Sequence, residues 1–281
     1  MRLITQPADG IQPILTAVSK AKRSIDIAIF RCDLKALEKE LAAAVTRGVV
    51  VHALVAHTAA GGGKGLRALE LRLLEAGVTV ARTDDDLVRY HQKLLLVDRR
   101  TLYVLGFNFT SADVKSRSFG IATKNPKILR DVLGLLEADA CRVAFRPSAS
   151  DLVVSPENAR ARLAKFLRKT KESLDIYDDG VTDDQMIRLM KALVANGVRV
   201  RILGKLEKKW HGPEFDVRRC PGRLHVRAIV RDGTRAFVGS QSLRKLELDE
   251  RREVGLIVRD PSIVKSIRGT FEKDWKQAEK D

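Results

Sequence analysis

His91-Gln92-Lys93-Leu94-Leu95-Leu96-Val97-Asp98 has a second copy further along the chain, His225-Val226-Arg227-Ala228-Ile229-Val230-Arg231-Asp232, from 91 to 225 a spacing of 134 residues. In each copy a cation follows the histidine by two residues and an aspartate follows it by seven, with mostly apolar residues between. Residues two apart on an extended strand share a face. His91 is therefore expected beside Lys93, and His225 beside Arg227. An imidazole next to a fixed positive charge suits a phosphate: the cation holds oxygens while the imidazole attacks or donates a proton. One H-x-K triplet carries little information, because it arises often by chance. Two copies at matching places in two similar halves carry far more.

The match extends outward from the motif. Residues 11–21 place Ile11, Ile14, Leu15 and Val18 at helical spacing, and residues 24–30 alternate as a strand. Residues 34–47 read as a helix stopped by Gly48, and 49–55 as a buried, β-branched strand. The second half repeats this order, with a helix over 158–171, a strand over 173–177, a helix over 184–195 stopped by Asn196-Gly197, and a strand over 198–203. The offset is 149 residues at Ser24/Ser173 and at Gly48/Gly197, but 134 at the histidines. The second half thus lacks about 15 residues where the first has Gly61-Gly62-Gly63 and a helix over 66–76. That glycine run precedes Lys64 but belongs to no G-x-x-x-x-G-K-[ST] loop, so a flexible loop or lid is expected. A repeat of this size predicts an α/β fold of two tandem domains related by a pseudo-twofold, 1–146 and 147–281. The junction is expected within 145–156, where Pro147, Ser148, Ser150 and Pro156 cluster.

Composition narrows the partners. The 281 residues include 52 Lys and Arg against 36 Asp and Glu, a net charge of +16. Such a surface attracts polyanions: nucleic acid, anionic lipid headgroups or phosphorylated substrates. The alternative is a surplus that serves only solubility. Cys32, Cys141 and Cys220 are odd in number and form no C-x-x-C pair, which argues for a reduced, cytoplasmic protein without structural disulfides or zinc. No stretch approaches the roughly 20 apolar residues that span a bilayer, so membrane contact is expected to be peripheral. Asp84, Asp85 and Asp86 form an acidic turn. Metal ligands usually converge from several elements, so a solvated turn is the preferred reading.

Counting on from each histidine aligns Leu105-Gly106-Phe107-Asn108 with Gly239-Ser240-Gln241-Ser242. An H-x-K-x-x-x-x-D pattern followed by a G-S-x-N segment, present twice, resembles the phospholipase D superfamily. Phe107-Asn108-Phe109-Thr110 is similar to its small endonucleases and phospholipase-like members. The resemblance spans nearly the whole chain. It implies two α-β-α sandwich domains whose motifs meet at one site on the domain interface. It further implies that one histidine forms a covalent phosphohistidine while the other protonates the leaving alcohol and then activates water or an alcohol. Lys93, Arg227 and Asn108 would hold the non-bridging oxygens. No metal and no cofactor is called for.

The catalytic set implied is His91, His225, Lys93 and Arg227, supported by Asn108, Ser240, Ser242, Asp98, Asp232 and Glu253. Asp98 and Asp232 are read as structural, bonding backbone or orienting a histidine. Departures from the pattern are plain: Arg227 for lysine, Gly106 for serine, Ser242 for asparagine, and Ser118 where the second half has Glu253. Arg227 keeps the charge but is bulkier and forked. Each half has lost elements, though together they retain almost all of them. His52, on an apolar strand, is read as a satisfied residue rather than a ligand. Arg251, Arg252 and Lys245 either make the mouth of the site positive or form a solvated face.

Three functions follow from this reading. The first is a phosphodiesterase or phosphatidyltransferase acting on phospholipid through phosphohistidine, because two complete halves in one chain resemble the phospholipase and cardiolipin synthase type. The second is a metal-independent endonuclease of the same chemistry on DNA or RNA, which the charge supports equally. The third is a catalytically weakened polyanion-binding module. With both motifs in one chain, a monomer is expected.

Overall fold

The computed structural model describes residues 1–58, 64–220 and 222–280; the glycine run at 61–63 lies outside the described residues. The first half runs β1 (Arg2–Gln6), α1 (Gln12–Ser19), β2 (Ser24–Ile29), α2 (Lys35–Thr46), β3 (Val50–Val55), α3 (Lys64–Glu75), β4 (Thr79–Arg82), β5 (Arg89–Tyr90), β6 (Leu94–Val97), β7 (Thr101–Leu105), α4 (Ser111–Val114), β8 (Ser118–Thr123) and α5 (Pro126–Cys141). The second runs β9 (Leu152–Ser155), α6 (Ala159–Arg168), β10 (Ser173–Val181), α7 (Asp184–Ala195), β11 (Arg199–Leu206), β12 (Asp216–Arg219), β13 (Arg227–Arg231), β14 (Arg235–Gly239), α8 (Lys245–Asp249), β15 (Arg251–Val258), α9 (Pro261–Gln277) and β16 (Glu279–Lys280).

The first sheet has the order β1-β8-β7-β6-β2-β3-β4, and the second reproduces it as β9-β15-β14-β13-β10-β11-β12, with β16 added beyond β12. In both, the three strands at one end are parallel and the rest antiparallel. Of the parallel strands, β2 and β10 are buried on both faces, while the outermost, β4 and β12, are partly exposed. This is the expected pair of tandem α/β domains.

Helices α1, α2 and α3 cover the outer face of the first sheet in one apolar cluster, and α6 and α7 cover that of the second. A third and larger cluster holds α5, α9 and the inner faces of both sheets, including Leu129, Val132, Leu135, Ile263, Ile267 and Phe271. The two halves therefore share one core rather than a thin wet seam.

Asp98 and Asp232 each begin a turn in the left-handed region, with φ of 53° and 50°. The carboxylate of Asp98 accepts from the backbone N–H groups of Lys22, Arg23 and Ser24, and that of Asp232 from Lys171, Glu172 and Ser173. Of the two roles open to them, the structure gives the backbone one. They fasten the start of the first parallel strand, at the far end of β6 and β13 from the histidines.

Candidate active site

The histidines do not lie in strands. β6 begins at Leu94 and β13 at Arg227, so His91 and His225 occupy the extended approaches. The reason is where their backbone N–H groups go. His91 N–H donates to Arg252 O at 2.8 Å, because β5 pairs with β15 of the other half, Arg89 opposite Arg251 and Tyr90 opposite Arg252. His225 N–H donates to Arg117 O at 3.1 Å, and Arg117 pairs with Leu224 in an isolated bridge. Each histidine is thus tied to the edge of the opposite domain by the same bond, which also makes Ser118 the structural counterpart of Glu253. The alternation predicted for the motif survives. Gln92 turns the other way and donates to Asp139 at 2.8 Å, while Lys93 follows His91.

Glu253, contributed by the second half, places its carboxylate 2.9 Å from His91 Nδ1. Lys93 Nζ lies 2.8 Å from the same nitrogen and donates to His91 O at 2.6 Å. Phe30 meets the imidazole edge-on at 4.3 Å and lies under the Lys93 ammonium. Burial removes the water that would stabilise charge, and it moves each group accordingly. Lys93 falls to about 7 and Glu253 rises to about 7, burial leading in both. His91 is held well below its ordinary value by burial, then by Lys93 and Arg227, so it is a neutral imidazole at neutral pH.

The surroundings of His225 are different. Ser118 replaces the carboxylate, and His225 Nδ1 has no hydrogen-bond partner; its nearest anion is Asp113, 3.6 Å away. Asp113 comes from the first half, so this histidine too faces an acid from the opposite domain. The Asp113 carboxylate accepts from Asn108 N–H at 2.9 Å and Asn108 Nδ2 at 2.6 Å, and pairs with Arg223 at 2.8 Å. Burial pushes His225 down to about 3, followed by Arg227, with Lys93 and His91 adding to it. The charges of both motifs thus act in a single site.

Arg227 is fixed by two contacts. Its Nε donates to Ser242 Oγ at 3.1 Å and its Nη2 to Asp179 at 3.1 Å, while Nη1 is buried without a partner. Asn108 Oδ1 is likewise buried and unpartnered. Buried polar atoms are nearly always paired, so such a concentration at one seam marks where a polar ligand belongs. Ser240 Oγ accepts from Val254 N–H at 3.2 Å and backs the strand that carries Glu253. Gly106 has a steric explanation: a Cβ there would come within 2.9 Å of Phe119 O and 3.1 Å of Gly239 O across the seam.

The structure brings together His91, His225, Lys93, Arg227, Asn108, Ser242 and Glu253, with Ser240 behind them. It leaves Asp98 and Asp232 outside. Arg252 is not at a positive mouth: it is buried and pairs with Asp139 at 2.9 Å and with Glu157. Sequence reasoning missed Asp113 and Asp179. A signal for Asp113 existed, since Asn108 is followed five residues on by Asp113 and Ser242 five on by Glu247, whose carboxylate accepts from Ser242 N–H at 2.6 Å. Asp179 corresponds to Phe30 at the repeat offset of 149, and because the two residue types differ, the repeat left no mark there.

A family model described as "Cardiolipin synthase, PLD-like domain" matches residues 14–138 and 163–275. The chain belongs to this phospholipase D-like family. Its two matched segments cover most of each sheet and its helices, leaving out β1 and β9, so the phospholipase D-like domain occurs twice in tandem. Polyphosphate kinase from Porphyromonas gingivalis superposes with a TM-score of 0.80 over 96% of this chain at 17% identity, and the match spans 46% of that kinase. Phosphatidylserine synthase from Haemophilus influenzae superposes at 0.71, with 10% identity, over 98% of this chain and 85% of its own. Nuc, a phospholipase D family member from Salmonella typhimurium, is 23% identical over 52% of this chain and 97% of its own, with a TM-score of 0.46. No curated protein is significantly similar in sequence. At these identities the likeness to the solved structures is one of fold. Among the described residues, no helix is long and apolar enough to cross a membrane.

Proposed function

We propose that the chain is a phosphodiesterase or phosphatidyltransferase of the phospholipase D type, acting on phospholipid through a phosphohistidine intermediate. One observation carries it: two neutral imidazoles from separate halves, each bonded to the other half's strand, share a buried site with Lys93 and Arg227. The duplicated cardiolipin synthase-type domain supports a lipid substrate over a nucleic acid.

His91 is the nucleophile. With Glu253 ionised, Nδ1 carries the proton and donates it to the carboxylate, leaving the lone pair on Nε2. That nitrogen attacks the diester phosphorus, forming a P–N bond as the P–O bond to the leaving alcohol breaks. His225 supplies the proton to the departing oxygen. Its low proton affinity is that of an empty, cationic site, and an anionic diester raises it by Coulombic attraction. Water or an acceptor alcohol then gives a proton back to His225 and attacks phosphorus, the P–N bond breaks, and His91 is restored. Arg227 Nη1, Lys93 and Asn108 Nδ2 hold the non-bridging oxygens, where charge grows in the transition state. Asp113, Ser240 and Ser242 keep these groups in position.

The test offers the purified protein phosphatidylcholine, phosphatidylglycerol and plasmid DNA in the presence of chelator. Chelator-resistant headgroup release or transfer, abolished in His91→Ala, is expected. Nicking of DNA without lipid turnover would replace this reading with the endonuclease. Silence on all three, with His91→Ala unchanged in polyanion binding, would leave the binding module.

A further inference from the structure

The repeat is also legible on the opposite side of each sheet's parallel strands, where the two halves differ in bulk. In the second half Arg201 on β11 bridges two acids. Its Nε donates to Asp175 at 2.8 Å and its Nη1 to Glu272 on α9 at 3.2 Å. Its guanidinium lies 5.0 Å from the Phe271 ring and 5.1 Å from Trp275, and Arg218 on β12 lies 4.4 Å from Trp275.

Strand register carries these positions into the first half. Asp175 is opposite Arg201 as Asp26 is opposite His52, and Arg201 is opposite Asp216 as His52 is opposite Thr79. His52 therefore stands for Arg201, and Ala81 for Arg218. Counting from Pro126 and Pro261, which open α5 and α9, Leu136, Glu137 and Ala140 stand for Phe271, Glu272 and Trp275. Both acids are kept while the groups packed between them shrink. The result is a cavity of about 240 Å³ lined by Asp26, His52, Ala81, Leu136, Glu137 and Ala140 among others. Asp26 is only 7% exposed. Its Oδ1 meets His52 Nδ1 at 3.0 Å and its Oδ2 is buried with no partner. The lining carries the buried carboxylate of Asp26 and the exposed one of Glu137, with His52 against one oxygen of Asp26 and Arg99 at the rim.

We propose that this cavity binds a small organic cation with a flat apolar body, such as an aromatic amidine or amine. The charged group takes the place of the Arg201 guanidinium between Asp26 and Glu137, and the apolar body takes that of Phe271 and Trp275. The buried orphan oxygen of Asp26 supplies the reason for the charge, because an unmet carboxylate lone pair in an apolar cavity is costly. The site shares no residue with the histidine cluster.

The experiment measures binding of benzamidine and tryptamine to the full chain by calorimetry and thermal shift, against the neutral counterparts benzamide and indole. Saturable binding of the cations, at least tenfold tighter than the neutral molecules, is expected, and Asp26→Asn should erase that preference. Ala140→Trp puts the second half's own filler into the space and should abolish binding while leaving turnover unchanged. If that variant does not fold by circular dichroism, Leu136→Phe narrows the same cavity and should weaken binding at least tenfold. Equal affinity for charged and neutral molecules, or binding that survives the folded filling variant, overturns the proposal.

Discussion

Glu253 and Ser118 occupy matching positions, yet only one of them supports a histidine. That difference gives His91 and His225 different surroundings. On the proposed mechanism His225→Ala takes the proton carrier from both the leaving alcohol and the incoming water, so turnover should fall by about a thousandfold or more. Labelled phosphoryl groups should then accumulate on His91, detectable by alkali-stable label after denaturation; label found on His225 in the reciprocal His91→Ala variant would reverse the assignment. Glu253→Gln leaves a hydrogen-bonding group but removes the ionised partner. Turnover should drop about a hundredfold, and with it the acid limb of kcat/KM near pH 7, since Glu253 protonates at about 7 in the free protein.

The stability of that variant follows by linkage. A carboxyl raised from 4.5 to about 7 binds its proton more tightly in the folded chain, so its contribution is intact below pH 4.5 and lost as pH climbs toward 7. Glu253→Gln should therefore melt a few degrees above wild type at pH 7.5, with the gap closing at pH 4.5.

At the scale of elements, the seam is held where β15 meets α5. Arg252 pairs with Asp139 at 2.9 Å, donates to Ser155 O at 3.0 Å and binds Glu157, while Asp139 also accepts from Gln92, the neighbour of His91. Removing one partner of a buried pair strands the other. Arg252→Ala should cost about 3–5 kcal/mol in urea denaturation, and turnover of the folded fraction should fall because the strand carrying Glu253 loses its brace. A variant whose stability is unchanged would show that the pair is dispensable. This residue also shows a limit of reading by charge: from sequence Arg252 and Lys245 are equivalent surplus cations, and only burial distinguishes them.

Across the whole molecule, +16 acts through screened fields. Apparent affinity for anionic vesicles should fall about tenfold or more between 50 and 200 mM salt, read by co-sedimentation, because bound counterions are released on contact. Salt-independent binding would assign the surplus to solubility alone. The shared core built from α5, α9 and both inner sheet faces makes the two domains one unit, which is what a site divided between them requires.

Much of this protein was legible one residue at a time. Periodicity placed the helices and strands within a few residues, the offset of 149 falling to 134 exposed the duplication, and the motif pair named both histidines and both cations. Those signals are local, set by side-chain spacing along the chain. What the tertiary structure alone decided is which groups meet across the seam. Glu253 lies 162 residues from the His91 it supports, and Asp113 faces His225 from the other half. No spacing rule encodes such partners. They are chosen by the crossing of β5 onto β15 and of residue 117 onto 224, and the same burial that joins them moves Lys93 and Glu253 to about 7. Side-chain order along the chain supplies the chemical groups, and desolvation at the domain seam sets their protonation.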